Sequence, residues 1–281
     1  MAGLRAFSIG LHFASADGRA TAITGPAMKT NSILPLLAVL AALGLAGPVP
    51  AADVHAAVAA NFTVAAKEIG VAFERKTGDK AILSFGSTGQ LTAQIFNGAP
   101  FEIFLSADVA HPASLERDGF VGSHPRFTYA VGKLVLWSAD PQTVDGKGAV
   151  LAAGTFAKLA VTNPKSAPYG TAAMEAIEKL GLTEALRPKL VFGQNVSQTQ
   201  QFISTGNAQL GFVALAQVIN DASGSMWVVP ETLYAPIRQQ AVLLKKGDAN
   251  PAAKAFVNFL QGPEAGAILG RYGYGVEKPA S

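Results

Sequence analysis

DVHAAVAANFTVAAKEIGVAFERKTGDKAILSFGSTGQLTAQIFNGAPFEIFLSA, residues 53–107, alternates short apolar runs with amphipathic stretches, and this alternation decides the fold. DVHAAVAA (53–60) reads as a buried strand. Asn61 then offers a helix N-cap, and the following segment puts Ala65, Ile69, Ala72 and Phe73 on one face before Gly78 closes the helix. KAILSF (80–85) gives a second strand, a helix runs from Leu91 to Asn97-Gly98, and EIFLSA from Glu102 gives a third strand. VAHPASLERDG (109–119) adds a helix. Strand, helix, strand, helix, strand is the pattern of an open α/β sheet.

Outward from there the pattern recurs. RFTYAVGKLVLWS (126–138) and IRQQAVLLKKG (237–247) are long apolar runs. Between them lie KLAVTNP, GTAAMEAIEKLG, LVFG, SQTQQFISTG and LGFVAL, again strand and helix in turn. Two helices, NPAAKAFVNFLQG and PEAGAILGRYG, follow the second long run. The expectation is an α/β protein of two lobes joined by two crossing strands. Lobe 1 would hold 53–130 and 238–281, and lobe 2 would hold 131–237.

The chain has 281 residues, 49% hydrophobic and 15% charged, which suits a globular protein of this size. Its first 52 residues read differently. From Met28 and Lys29 an apolar core runs from Ile33 to about Ala46 and ends in small residues before Asp53, the layout of a secretory signal with cleavage near Ala51 or Ala52. The apolar core is shorter than the ~20 residues of a membrane-spanning helix. Residues 1–27 suit no signal, so Met28 is read as the true start. Removing the first 52 residues with Arg5, Arg19, Lys29 and Asp17 takes the formal charge from +3 to +1. With no basic cluster beyond Lys245-Lys246, nucleic acid is not an expected partner. There is no Cys, hence no disulfide and no lipid-attachment thiol. The expected product is soluble and periplasmic.

Four strand-to-helix turns carry the candidate chemistry: AANFT (59–63), GSTGQ (86–90), APYGT (167–171) and QNVSQ (194–198), two in each expected lobe. None contains Lys, Arg, Asp, Glu or His. Helix N-termini present free N–H groups and a partial positive charge, so converging turns could hold an anion without any counter-charge. The plainer reading is that Asn61, Ser87, Thr88 and Ser197 only cap helices. GSTGQL lacks the Lys and the spacing of a phosphate P-loop, and it is not the Gly-x-Ser-x-Gly elbow of a hydrolase. Beyond residue 52 the only histidines are His55, His111 and His124, with no pair at helical metal-ligand spacing. GRYGYG (270–275) follows a helix, so it is no dinucleotide fingerprint; Tyr272 and Tyr274 read as packing residues.

VAANFTVAAKEI, LSFGSTGQLTAQIFNGAPFEIFLSAD, RFTYAVGKLVLWS, NPKSAPYGTAAMEAIEKLG, LGFVALAQV and QGPEAGAILGRYGY, in that order over 53–276, together resemble the ModA family of periplasmic molybdate-binding proteins. The resemblance implies a type II periplasmic binding protein that is not an enzyme and needs no cofactor. Its ligand would be molybdate or tungstate, with molybdenum present only as the oxyanion and no direct metal ligand from the protein. Its partners would be the membrane permease and ATPase of an ABC importer, with the receptor a monomer. Carried over by position, the resemblance implies a ligand site at Asn61 with the Ala60 backbone, at Ser87 and Thr88, at Tyr169 before Gly170, and at Val196. Many members place a Tyr where this sequence has Ala214, and the Tyr169 hydroxyl is expected to replace it. A sulfate receptor would fit the same donors; a secreted hydrolase using Ser87 with His111 or His124, or a ferric-ion receptor, would need groups the turns do not supply.

Overall fold

The structure, a computed structural model, describes residues 51–275; the expected signal segment lies outside the described residues. β1 (Asp53–Ala59) passes through a 3-10 turn at Ala60–Phe62 into α1 (Thr63–Thr77), followed by β2 (Lys80–Gly86), α2 (Thr88–Phe96), β3 (Ile103–Leu105) and α3 (Ala110–Arg117). β4 (Phe127–Gly132), β5 (Leu134–Ser138), α4 (Ala149–Ala153), β6 (Leu159–Thr162), α5 (Pro168–Lys179) and α6 (Thr183–Leu186) come next. The chain continues through β7 (Leu190–Gly193), α7 (Val196–Ser204), β8 (Leu210–Ala214), α8 (Leu215–Val218), β9 (Ser225–Val228) and β10 (Ile237–Leu243) to α9 (Pro251–Leu260) and α10 (Pro263–Arg271).

Two five-stranded sheets result, in the orders β2-β1-β3-β10-β4 and β7-β6-β8-β5-β9. Both follow one plan. Three parallel strands, β2-β1-β3 or β7-β6-β8, are extended by an antiparallel strand and then a second antiparallel strand. The middle parallel strands carry continuous small apolar residues, Ala56 to Ala59 and Leu159 to Val161, because helices cover both faces. α1 buries Ala65, Ala66, Ile69, Ala72 and Phe73, and Phe73 packs edge-on against Phe256 of α9 with ring centres 5.0 Å apart. Gly78 ends α1 at φ 82°, a left-handed position that suits glycine.

The long apolar run 126–138 forms two strands. β4 ends at Gly132 in the first sheet, and β5 starts at Leu134 in the second, so the chain changes sheet at Lys133. It returns between β9 and β10. The two passages are tied together where the Leu134 amide donates to the Tyr234 hydroxyl at 3.2 Å. β10 carries a bulge between Gln239 and Gln240 as it pairs with β4. β9 is a strand that the sequence pattern does not announce, a four-residue edge whose Trp227 packs into the second core. Among the described residues, no helix is long and apolar enough to cross a membrane.

Candidate functional site

The four polar turns follow β1, β2, β6 and β7, the adjacent parallel pair at the edge of each sheet. Their carboxyl ends face one another and enclose a chamber of about 10 Å³, roughly the least volume that admits one water-sized sphere. All six expected site residues, Ala60, Asn61, Ser87, Thr88, Tyr169 and Val196, line it, and none of its lining residues is Lys, Arg, Asp, Glu or His. The lobes are closed over it: Ser197 Oγ in one donates to the Ala60 carbonyl in the other at 3.3 Å.

α2 starts at the chamber because Ser87 caps it. Ser87 Oγ accepts from the Gln90 amide at 3.4 Å while the Gln90 side chain accepts from the Ser87 amide at 3.5 Å, a capping box. α5 is started by Pro168 at its first position, with Ala167 extended ahead of it. A Cβ on Gly170 would stand 2.2 Å from the Thr162 carbonyl oxygen, so only glycine lets α5 lie this close to the end of β6. α7 is capped by Asn195, whose Oδ1 accepts from the Gln198 amide at 3.0 Å. The first amides of these helices, at Thr88, Tyr169 and Val196, have no partner within their own helix and open toward the chamber end.

The hydroxyls are oriented as donors. Ser87 Oγ accepts from Gln90 N, Thr88 Oγ1 accepts from Ala107 N at 3.1 Å, and the Tyr169 hydroxyl accepts from Gln239 Nε2 at 3.4 Å. Each therefore has a lone pair in use, while its own proton has no protein acceptor among the described residues. Burial pushes the Tyr169 phenol well above its ordinary value, with the neighbouring Tyr274, Tyr129 and Tyr234 adding to the shift, so it stays protonated at neutral pH. With all donors and no ionised group, the chamber suits a small, fully deprotonated anion. It offers no group for general acid–base chemistry near neutral pH.

Two expectations about caps need correction. Asn61 is no N-cap: it sits inside the 3-10 turn, and Phe62 holds the cap position of α1 without a side-chain bond. The Asn61 amide nitrogen instead donates to Gln239 Oε1 at 2.8 Å and to the Tyr274 hydroxyl at 3.3 Å. Both of its protons are thereby committed to the interior, which leaves its backbone N–H as the group available to the chamber. Ser197 is no cap either, because Asn195 takes that place and Ser197 reaches across the cleft. Tyr274 also departs from a plain packing role: its hydroxyl donates to the Asn61 carbonyl at 2.9 Å. The Tyr129 hydroxyl has one proton and two acceptors within reach, Gln239 Oε1 at 3.0 Å and the Ser106 carbonyl at 3.2 Å. Gln239, Tyr129 and Tyr274 form a buried shell behind the site; the one sequence signal for it is a polar Gln inside an apolar strand. His111 lies on α3 and pairs with Asp108 at 2.7 Å, and neither lines the chamber. Among the described residues no His, Cys, Asp or Glu cluster could hold a metal ion.

The two matched sheets, the two passages between them and the shut chamber define a two-lobed solute-binding protein of the type II periplasmic class. The family model described as bacterial extracellular solute-binding protein matches residues 54–275. Molybdate-binding protein ModA of Azotobacter vinelandii is 54% identical over 249 residues, 88% of this chain and 99% of its own. ModA of Rhodobacter capsulatus is 54% identical over 235 residues, 84% of this chain and 93% of its own. The solved structure of the Azotobacter vinelandii periplasmic molybdate-binding protein superposes with a TM-score of 0.78 at 40% identity, covering 80% of this chain and all of that one. The chain belongs to the ModA family of bacterial extracellular solute-binding proteins, which bind their solutes and are not enzymes.

Proposed function

We propose that this chain captures molybdate in the chamber between its lobes, accepts tungstate in the same way, and delivers either to an ABC importer. The observation that carries this reading is the convergence of Ala60, Asn61, Ser87, Thr88, Tyr169 and Val196, drawn from both sheets, on one small uncharged chamber. The hydroxyls of Ser87, Thr88 and Tyr169 and the helix-start amides would donate to the oxyanion, and the similarity to molybdate-binding ModA proteins favours molybdate as that ligand. Its two bodies, each built on one sheet and divided at Lys133 and again between β9 and β10, act as the moving parts. Donors from both lobes meet the ligand together only in the closed form, so binding draws the population toward closure.

The receptor works as a monomer in the periplasm after loss of its N-terminal signal, and its partners are the membrane permease and ATPase of the importer. A hydrogen-bearing oxyanion such as hydrogenphosphate would want an acceptor that the chamber lacks. Sulfate meets the same donors, so sulfate and molybdate are to be separated by measured affinity. A thermal-shift panel of molybdate, tungstate, sulfate and phosphate tests the reading. Molybdate at 100 times its Kd is expected to stabilise the protein by about 2.7 kcal/mol. A shift with sulfate and none with molybdate would overturn it.

A further inference from the structure

Behind the chamber a chain of hydrogen bonds runs in one direction, and its direction follows from a single fixed point. The Tyr274 hydroxyl gives its proton to the Asn61 carbonyl, so toward the Asn61 side chain it can only accept. That turns the Asn61 NH₂ toward Tyr274, and the second proton of the same group then meets Gln239 at 2.8 Å. Gln239 must present its oxygen there, which aims its own NH₂ at the Tyr169 hydroxyl. Gln239 is fully buried, and its orientation is set through Asn61. Tyr169 therefore accepts from behind, and its proton is left for the chamber it lines.

We infer that Gln239 is a positioning residue for ligand selection: it fixes the Tyr169 hydroxyl as a donor toward the bound oxyanion. Its place in the chain gives it a second consequence. It lies at the bulge of β10, where the chain has just returned from the second sheet to the first, while Tyr169 belongs to the helix that starts at the end of β6 in the second sheet. The bond between them spans the junction of the two bodies, so the donor state of Tyr169 is set only when they are together. Gly132, the last residue of β4, keeps space for the pair: a Cβ there would stand 2.1 Å from the Tyr169 hydroxyl and 2.7 Å from Gln239 Nε2.

This inference rests on the oxyanion reading above, and its test separates the two. Gln239→Glu keeps an oxygen for Asn61 and Tyr129 but cannot donate, so the Tyr169 proton turns back toward the new carboxylate. The added charge alone would weaken any anion, which is why the change is made in both the Tyr169 and the Tyr169→Phe backgrounds. Affinity for sodium molybdate and sodium sulfate is measured by calorimetry on all four proteins. The loss caused by Gln239→Glu is expected to be roughly tenfold larger with Tyr169 present than with Phe in its place. Equal losses in the two backgrounds would overturn the inference. Should Gln239→Glu fail to fold, Gly132→Ala serves: it disturbs the same pair from the strand side, and Tyr169→Phe should relieve much of its effect. If the unaltered protein binds sulfate and not molybdate, the proposed ligand fails while the comparison, run with sulfate, still decides the role of Gln239. If it binds neither, both fall.

Discussion

The amide of Gly89 donates to the carbonyl of Ser166 at 2.9 Å, joining the first turn of α2 in one lobe to the loop before α5 in the other. A Cβ on Gly89 would stand 3.1 Å from that oxygen and 3.2 Å from Ser166 Cα. The lobes meet there backbone against backbone. Gly89→Val is therefore expected to hold the closed form apart and to weaken molybdate binding about tenfold, ~1.4 kcal/mol. X-ray scattering should show less compaction on adding ligand. Wild-type affinity and compaction would mean that closure does not need this contact.

Ser87 caps α2 and also lines the chamber, and one substitution can separate the cap from a contact to ligand. Glycine at an N-cap costs only a few tenths of a kcal/mol relative to serine, whereas alanine costs about 1 kcal/mol. Ser87→Gly should thus leave the melting temperature of the empty protein nearly unchanged while removing a hydroxyl from the chamber. A hydrogen bond to a charged ligand lost in this way is worth ~1.5–3 kcal/mol of affinity. If calorimetry finds molybdate bound as tightly as before, Ser87 is a cap and nothing more.

Gly170→Ala should act on the empty protein as well. Its Cβ would meet the Thr162 carbonyl oxygen at 2.2 Å, its carbon at 2.8 Å and the Pro164 nitrogen at 2.9 Å, all backbone atoms that cannot swing aside. Overpacking of this kind costs about 1–3 kcal/mol. Urea unfolding should show a lower midpoint, and molybdate affinity should fall too, because α5 carries Tyr169. An unchanged midpoint would show that α5 can shift without penalty.

Alkaline pH should unsettle the shell behind the site. Burial raises the phenols of Tyr129, Tyr169 and Tyr274 above their ordinary value, so the folded protein keeps these protons where the unfolded chain releases them. The stability they confer is whole below about pH 10 and is lost as pH rises beyond it, by up to ~1.4 kcal/mol per pH unit for each. Melting temperatures measured upward from pH 8 should fall steeply above about pH 10, and Tyr274→Phe should lessen the slope. Molybdate affinity should stay level from about pH 6 to 9, since no chamber residue titrates there. A fall within that range would place an ionising group at the site.

What could be read in advance was local. The strand and helix alternation of 53–107, the Gly78 stop and the four turns are each fixed by a few neighbouring residues, so α1, α2 and the turn residues Ser87 and Thr88 were legible, whereas Tyr169 and Val196 were named only through the family resemblance. The correction at Asn61 came from partners 178 and 213 residues away, Gln239 and Tyr274, which no local pattern relates to it. A capping residue type was present; the tertiary hydrogen bonds outcompeted the cap. β9 was invisible for a different reason: four residues at a sheet edge have too little alternation to stand out from a loop. The common plan of the two sheets also left no sequence repeat, because parallel strands need only apolar residues and not the same ones.

The absence of ionised side chains around the chamber reaches beyond the site. No side chain there titrates near neutral pH and takes up a proton when an anion enters, so a bound dianion would add its whole charge to the molecule. From Asp53 onward the chain carries a formal charge of +1. Filling the chamber with a dianion inverts the sign of that net charge, and filled and empty molecules then drift toward opposite electrodes in an electric field.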